Sequence, residues 1–418
     1  MGVYLSSVLD LVDREIEWGI NVLKKFVEIP TINPPGKNYK VFVETASRVL
    51  KEIGMSVEIH EVPKDVVSKY YPDYAEYPRY ILLARLGSGS PVIQFNGHYD
   101  VVPEGSGWSR DPFKPVVENG KLYGRGSVDM KGGIVAAIVA VKAFKEAYRE
   151  FNGTIEIALV PDEEIGGETG TGYLVREGLS KPNYVIIGEP SGSETIWIGH
   201  RGALWFFVEV YGKQAHGSTP WLGINAFEYM VRVAEKFMKD YKNIIERKSS
   251  KYTYDDPRGA KPTITIGGEV KGGAKTNIVP GYYAFSVDRR LIVEESPDEV
   301  EKEVKDFINE IKKELPPKVR VKLKVTGKLP PAVTSPESPL VRALLRSAER
   351  VLGSKPRTTV CLGGLDMRYY TEVGIDTVTY GPGPLHLAHQ ADEHISIDDF
   401  TKTAKVYALL LEDMLISH

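Results

Sequence analysis

Five short segments carry residue types and spacings suited to binding cations. Phe95–Pro103 reads Phe-Asn-Gly-His-Tyr-Asp-Val-Val-Pro and ends an apolar run. In extended backbone, residues i and i+2 point the same way, so the Asp100 carboxylate is expected to hold one imidazole nitrogen of His98 and leave the other for a metal. Gly124–Gly133 (Gly-Arg-Gly-Ser-Val-Asp-Met-Lys-Gly-Gly) leads into a helix, and its glycines permit close backbone approach. Asp129 stands there either as a helix N-cap or as a carboxylate bridging two cations. Val160–Gly167 carries Asp162, Glu163 and Glu164 in a row after another apolar strand. Adjacent carboxylates project differently, so one can ligate a metal while its neighbour faces a water as general base. Three consecutive acids after a buried strand are costly unless cations offset them. Gly188-Glu189-Pro190 ends a further strand, and Ala388–Glu393 sets His389 in a Gly/Pro loop, with His386 as the second choice for that role. Taken singly, each segment has a plainer reading as a loop histidine, a cap or an acidic turn. Together they offer two His and three to four carboxylates, the N/O donor mix that suits paired divalent ions in hydrolases.

An open α/β sheet is the scaffold that brings strand ends together. The first half of the chain alternates accordingly. An amphipathic helix (Leu9, Val12, Ile16, Ile20, Leu23) precedes a Pro-Pro-Gly turn in Thr31–Gly36 and a helix to about Ile53. Strands follow near Met55–Glu61, Tyr80–Leu86 and Pro91–Asn96, the first two separated by a Tyr-rich loop (Tyr70, Tyr71, Tyr74, Tyr77). A helix Met130–Tyr148 and strands Thr154–Val160 and Tyr184–Ile187 complete it. This pattern predicts helices around a mostly parallel sheet. From Ala203 the order changes to strand Ala203–Tyr211, helix Asn225–Tyr241, strands Thr263–Val270 and Tyr282–Leu291, helix Pro297–Leu315 and strand Val319–Thr326, a ferredoxin-like βαββαβ unit. After Pro330-Pro331 the α/β character returns with helix Ser338–Leu352, a strand near Thr358, a helix near Asp366–Thr371, strand Asp376–Tyr380 and helix Asp398–Ile416. The expected division is a catalytic domain in two parts, 1–199 and 329–418, with an inserted domain at 200–328.

Bulk properties exclude several classes. A chain of 418 residues exceeds what one hydrophobic core usually serves. A net charge of -3 without a basic stripe argues against nucleic acid or an anionic membrane as partner. Cys361 is the only cysteine, so no intrachain disulfide forms, and it reads as a small buried residue rather than a nucleophile. The N-terminal helix is neither a signal peptide nor a membrane span, and Met1-Gly2 with Ser6 matches the loose myristoylation pattern by chance. The cytoplasm is the simplest compartment.

The segments GHYDVVP, GRGSVDMKGG, PDEEIGG, GEP and AHQADE resemble, in that order and over nearly the whole chain, the blocks of a dinuclear zinc family. That family contains aminoacylase-1, acetylornithine deacetylase, succinyl-diaminopimelate desuccinylase and carboxypeptidase G. The resemblance implies an α/β fold: a three-layer α/β/α zinc-peptidase-like catalytic domain with a ferredoxin-like lid and dimerisation domain. It implies two divalent ions, zinc with cobalt or manganese as alternatives. His98 and Glu189 would hold one, Glu164 and His389 the other, and Asp129 would bridge them. Asp100 would orient His98, Glu163 would be the general base, and a non-proline cis peptide would follow Asp129. Gly212–Pro220 resembles the lid block whose histidine, here His216, reaches the partner subunit's active site and stabilises the oxyanion, which implies a homodimer. Thr276–Gly281 and Val287–Arg290 resemble substrate-contacting blocks, with Asn277 near the scissile carbonyl and Arg290 on a carboxylate, for which a guanidinium fork is suited. Cys361–Asp366 stands where relatives read Gly-Gly-Thr-Asp, so Gly363 and Gly364 retain their backbone contacts while Leu365 supplies no hydroxyl. His60, His200, His394 and His418 match no role.

The implied reaction is hydrolysis of the amide bond of an N-acyl amino acid, as in the deacetylase and the desuccinylase. A metal-bound water would give its proton to Glu163 and attack the carbonyl, with His216 and the metals on the oxyanion. A dipeptidase or carboxypeptidase shares this apparatus. A non-catalytic metal-binding relative is the alternative of another class, disfavoured by the intact ligand set with Glu163 beside it. A serine hydrolase lacks its Gly-x-Ser-x-Gly elbow, and Cys361 has no histidine nearby in sequence.

Overall fold

Ser7 and Asp10 close a capping box that starts helix Val8–Val27: the Ser7 Oγ accepts from the Asp10 amide (3.2 Å) and the Asp10 carboxylate from the Ser7 amide (3.0 Å). It is the first element of a computed structural model that describes residues 7–416. The myristoylation-like Met1-Gly2 and Ser6, and His418, lie outside the described residues. Two compact units divide the chain. The larger runs to Ile198, takes in Thr334–Thr358 and resumes at Leu365; the smaller is Gly199–Val333 with Thr359–Gly364.

In the larger unit the strands lie in the order Ser56–Val62, Arg79–Ser88, Gly153–Val160, Val92–His98, Tyr184–Ile187, Asp376–Thr379, Thr195–His200. Gly153–Val160 through Asp376–Thr379 are mutually parallel, while the outer strands run antiparallel. The sheet is thus parallel only at its centre, less than the alternation of elements predicts. One reason is the short connection Gly89–Pro91, which leaves no room for a crossover helix and forces Arg79–Ser88 to oppose Val92–His98. Gly153–Val160 is buried along its whole length, as a strand flanked and covered on both faces must be.

Helices cover both faces of this sheet. Adjacent side chains on a strand point to opposite sides. The Phe95 ring packs on Tyr407 of helix Ile397–Leu415 (centroids 4.8 Å apart), whereas the Asn96 amide reaches Tyr370 Oη of helix Met367–Glu372 (2.9 Å). Helix Lys131–Ala147, apolar nearly all round, is wrapped by helices Val8–Val27 and Ile397–Leu415. Part of the expected Tyr-rich loop is instead helix Lys64–Tyr70, whose single buried residue, Val67, leaves no apolar period to read. A hairpin Val116–Glu118/Lys121–Tyr123, joined by His394–Ser396, is likewise too short to announce itself.

The smaller unit has the predicted βαββαβ order. Its antiparallel sheet runs Thr263–Gly272, Tyr282–Leu291, Gly202–Tyr211, Arg320–Leu329, the ferredoxin-like arrangement. Asn225 caps helix Ala226–Lys236 and Ser296 caps helix Pro297–Lys313. Both helices bury Val233, Val300, Val304 and Ile308 against Leu204, Phe206, Val208 and Val210 of the central strand. A π-helical turn, Phe237–Tyr241, continues the first helix.

Candidate metal centre

All four central parallel strands deliver chemistry at their C-terminal ends, the edge where sites of open α/β sheets form. Val92–His98 ends on His98. Gly153–Val160 leads through Asp162, at φ 67°, into a tight turn that begins with Glu163 and Glu164. Glu189 stands two residues beyond Tyr184–Ile187, and Asp376–Thr379 leads into the loop of His389. Asp129 lies just ahead of helix Lys131–Ala147, and the Asp129-Met130 peptide is cis. Gly133 lets this helix approach the strand end of Glu189: a Cβ there would lie 1.9 Å from the Gly188 carbonyl oxygen.

The two oxygens of Asp129 face different imidazoles. Oδ1 is 3.1 Å from His98 Nε2, which is also 3.3 Å from Glu189 Oε1. Oδ2 is 3.1 Å from His389 Nε2, which is also 3.2 Å from Glu164 Oε1. Two donor groups therefore share one carboxylate. It is His389, not the exposed His386 of turn Leu385–Leu387, whose ring meets Asp129 and Glu164. Glu163, partly buried, has a carboxylate oxygen within 4.8 Å of ligand atoms of His98 and Glu189.

Asp100 meets His98 with its backbone as well as through the side-chain contact expected. The nearest partner of His98 Nδ1 is the Asp100 backbone carbonyl at 3.0 Å, with the carboxylate Oδ1 at 3.4 Å. A carbonyl accepts only, so Nδ1 carries a proton; Nε2, which faces the carboxylates of Asp129 and Glu189 and donates to them while protonated, is the nitrogen left for an ion. The carboxylate also accepts from Asn33 Nδ2 (2.8 Å) and from the amides of Glu163 and Glu164 (3.3 Å each), anchoring the turn that holds both acids.

Electrostatics identify what the cluster lacks. Two other buried acids nearby have guanidinium partners: Asp162 with Arg79 (2.8 Å) and Glu393 with Arg125 (2.5 Å). Among the described residues, the ion-pair partners of Asp129, Glu164 and Glu189 are imidazoles alone. Burial pushes Glu163 and Glu164 above the usual carboxylate range, the former also through Glu189 and the latter through Asp129. Burial, with Asp129, brings Glu189 up to about 8. Burial alone would raise Asp129 too, but hydrogen bonds from His389 and His98 hold it low. His389 is drawn up to about 10 by its bonds to Asp129 and Glu164. Such a set of hard oxygen and imidazole donors, with imidazoles as the only cationic partners of its carboxylates among the described residues, fits a pair of divalent ions.

The residues expected to contact substrate lie in the smaller unit. His216 is exposed, with Nδ1 accepting from the Ser218 amide (3.1 Å), so its Nε2 bears the proton as a donor. Asn277 is exposed, its carbonyl accepting from the Gly217 amide (2.8 Å). Arg290 is half-buried and paired with Asp288 two residues earlier on its strand (2.9 Å). Gly363 and Gly364 are partly buried, and a Cβ on Gly364 would come within 2.5 Å of Leu329.

Five supporting residues escape sequence reasoning. Asn33 and Arg79 converge with Tyr39 on Asp162, and Glu393 holds the loop of Asp129. Glu393 closes the quoted AHQADE segment and Asp162 opens the acidic triplet, so a signal existed for those two. Asn33 and Arg79 carry no local pattern.

Residues 94–413 match the model of peptidase family M20/M25/M40. A succinyl-diaminopimelate desuccinylase of Psychrobacter arcticus is 30% identical over 346 residues, 80% of this chain and 81% of that protein. The fold is similar to that of the dipeptidase Dug1p of Saccharomyces cerevisiae (TM-score 0.71, 18% identity, 99% of each chain). It is similar also to YXEP of Bacillus subtilis, a dinuclear metal-binding peptidase (TM-score 0.68, 17% identity, 95% of this chain and 98% of that one).

Proposed function

Since the chain belongs to peptidase family M20/M25/M40, a family of amide hydrolases, we propose that it binds two divalent ions on His98, Asp129, Glu164, Glu189 and His389 and hydrolyses N-acyl amino acids with Glu163 as general base. The observation that carries this reading is the shared Asp129, whose oxygens face His98 on one side and His389 on the other. Zinc is the first candidate, with cobalt and manganese behind it, because imidazole and carboxylate donors serve all three. When bound, the ions lower the pKa of water and polarise a carbonyl. Glu163 accepts the proton lost by the attacking water and returns it to the leaving amine. Asp100 holds Glu163 through its amide and His98 through its carbonyl. His216 offers Nε2–H, the right form for a donor to a developing oxyanion. Asn277, Gly363 and Gly364 are assigned to the scissile group and Arg290 to a substrate carboxylate, which must then compete with Asp288.

Residues 1–199 and 329–418 are assigned to the catalytic domain and 200–328 to the lid. A homodimer formed through the lid is supported by exposed apolar side chains on that unit: Trp221, Leu222, Phe227, Val231, Met238 and Val270. No helix among the described residues is long and apolar enough to cross a membrane. A single cysteine, the buried Cys361, is compatible with the cytoplasm.

The test is turnover by metal-free protein reloaded with zinc, cobalt or manganese, across N-succinyl and N-acetyl amino acids and dipeptides. Metal-dependent release of the acyl group is expected. Preferential cleavage of dipeptides selects the dipeptidase reading, and two tightly bound ions without turnover of any substrate would overturn the hydrolytic one.

A further inference from the structure

The loop that presents Asp129 has little regular structure of its own. Gly124 and Gly126 take φ values of 155° and 83°, and the amides of Gly126, Val128 and Asp129 all turn to one point. That point is Oε1 of Glu393, at 3.0, 2.9 and 3.1 Å. Oε2 of the same carboxylate accepts from Arg125 Nη1 (2.5 Å), and the Glu393 carbonyl from the Gly124 amide (2.9 Å). The side chain is fully buried, and its partners above are all donors, so each bond is charge-assisted and shielded from water.

Glu393 is also the anchored end of the loop of His389. Directly beyond it, His394–Ser396 pairs with Lys121–Tyr123. Directly before it, Asp392 accepts from the Ser109 amide (3.0 Å). The His389 side chain is 52% exposed, and its ring meets the carboxylates of Asp129 and Glu164, so its loop decides where the ring stands. His98, by contrast, is 1% exposed at a strand end and braced by the Asp100 carbonyl.

We infer that Glu393 is a positioning residue that ties the Asp129 loop to the His389 loop and so sets the geometry of the ion site shared by Asp129, Glu164 and His389. The inference rests on the two-ion reading above. The bland alternative is a buried Glu393–Arg125 pair that stabilises the fold and nothing more.

The two are separated by metal affinity measured without any turnover. Metal-free wild type and Glu393→Met are titrated with zinc against a chromophoric chelator, and the thermal melting of each metal-free protein is followed alongside. Glu393→Asp, one methylene too short to reach both sets of donors, replaces Glu393→Met if that variant does not fold. The expected result is a weakening of one ion by about tenfold to hundredfold, as for other supporting partners of metal ligands, with the second ion, which shares Asp129, affected much less. The pattern should match His389→Ala rather than Glu189→Ala. Arg125→Met, which keeps the three amide contacts, should melt earlier yet bind both ions as wild type does. Parallel weakening of both ions in the Glu393 variants, or unchanged affinity for both, overturns the inference. A wild type that takes up fewer than two ions overturns the two-ion reading itself.

Discussion

Arg79 and Asp162 form an ion pair with neither side chain exposed, Nε lying 2.8 Å from Oδ2. Asp162 is the residue that turns the chain, at φ 67°, from the central strand into Glu163 and Glu164. It also accepts from Asn33 Nδ2 and Tyr39 Oη (3.0 Å each) and from Thr169. The pair therefore fixes the entrance to the acidic turn from behind. Arg79→Met strands this carboxylate in the interior and should destabilise the metal-free protein by about 3–5 kcal/mol. Denaturant unfolding measures it, and a loss below about 1 kcal/mol would show the pair to be dispensable.

Glu163→Gln retains size and hydrogen bonding but removes the base. Metal content should stay at the wild-type level while kcat falls by about 10²–10⁴. Atomic absorption together with steady-state kinetics checks both. Near-normal turnover would move the proton acceptor elsewhere.

Metal binding should release protons at neutral pH. His389 sits at about 10 in the metal-free protein through its bonds to Asp129 and Glu164, so it is protonated there and must lose its proton to ligate. Apparent affinity should accordingly rise with pH, and calorimetry in buffers of different ionisation enthalpy counts the protons. The sign for folding is opposite. A raised imidazole pKa stabilises the metal-free fold fully below the unfolded value of about 6.5, and this contribution disappears as pH rises through about 10. His389→Ala should abolish that part of the pH dependence.

Gly133→Ala should disturb both a helix and a ligand. Its new methyl would sit 1.9 Å from the Gly188 carbonyl oxygen, a backbone atom that cannot swing aside. Overpacking of this kind costs about 1–3 kcal/mol. Because Glu189 follows Gly188 directly, zinc affinity should fall along with the melting temperature. A variant that melts earlier but binds zinc normally would mean the strand end recovers its position.

His216 is tested by complementation. His216→Ala should lower kcat by about 10²–10³, the usual effect of losing one oxyanion donor. If the histidine serves the partner subunit, mixing inactive His216→Ala and Glu163→Gln dimers and allowing exchange should restore activity, since one site of each hybrid is intact. No recovery despite demonstrated exchange would place its action within its own subunit.

Much of the site is legible in short motifs because covalent spacing and backbone geometry are local. His98, Asp129, Glu163, Glu164 and Glu189 each follow or precede an element whose periodicity is clear, and the βαββαβ order of the smaller unit reads directly from its strands and helices. Asp100 shows the limit. The i,i+2 rule places its side chain beside His98, but not the closer contact of its carbonyl with the ring, nor the carboxylate's bonds to amides more than 60 residues along the chain. Arg79 and Asn33 are invisible for the same reason: their partner, Asp162, is 83 and 129 residues away.

By itself the sequence determined which side chains are available for metal chemistry and that each stands at the end or start of a regular element. Local propensity and motif spacing suffice for that. Tertiary structure decided how they are joined. Strand order sets the ends of Val92–His98, Gly153–Val160, Tyr184–Ile187 and Asp376–Thr379 side by side, and only then do the two oxygens of Asp129 divide between His98 and His389. It also sets the ring of His389, rather than that of His386, beside Asp129 and Glu164, because this depends on where a loop closes, and the buried Glu393 hydrogen-bonds the neighbouring Asp129 loop.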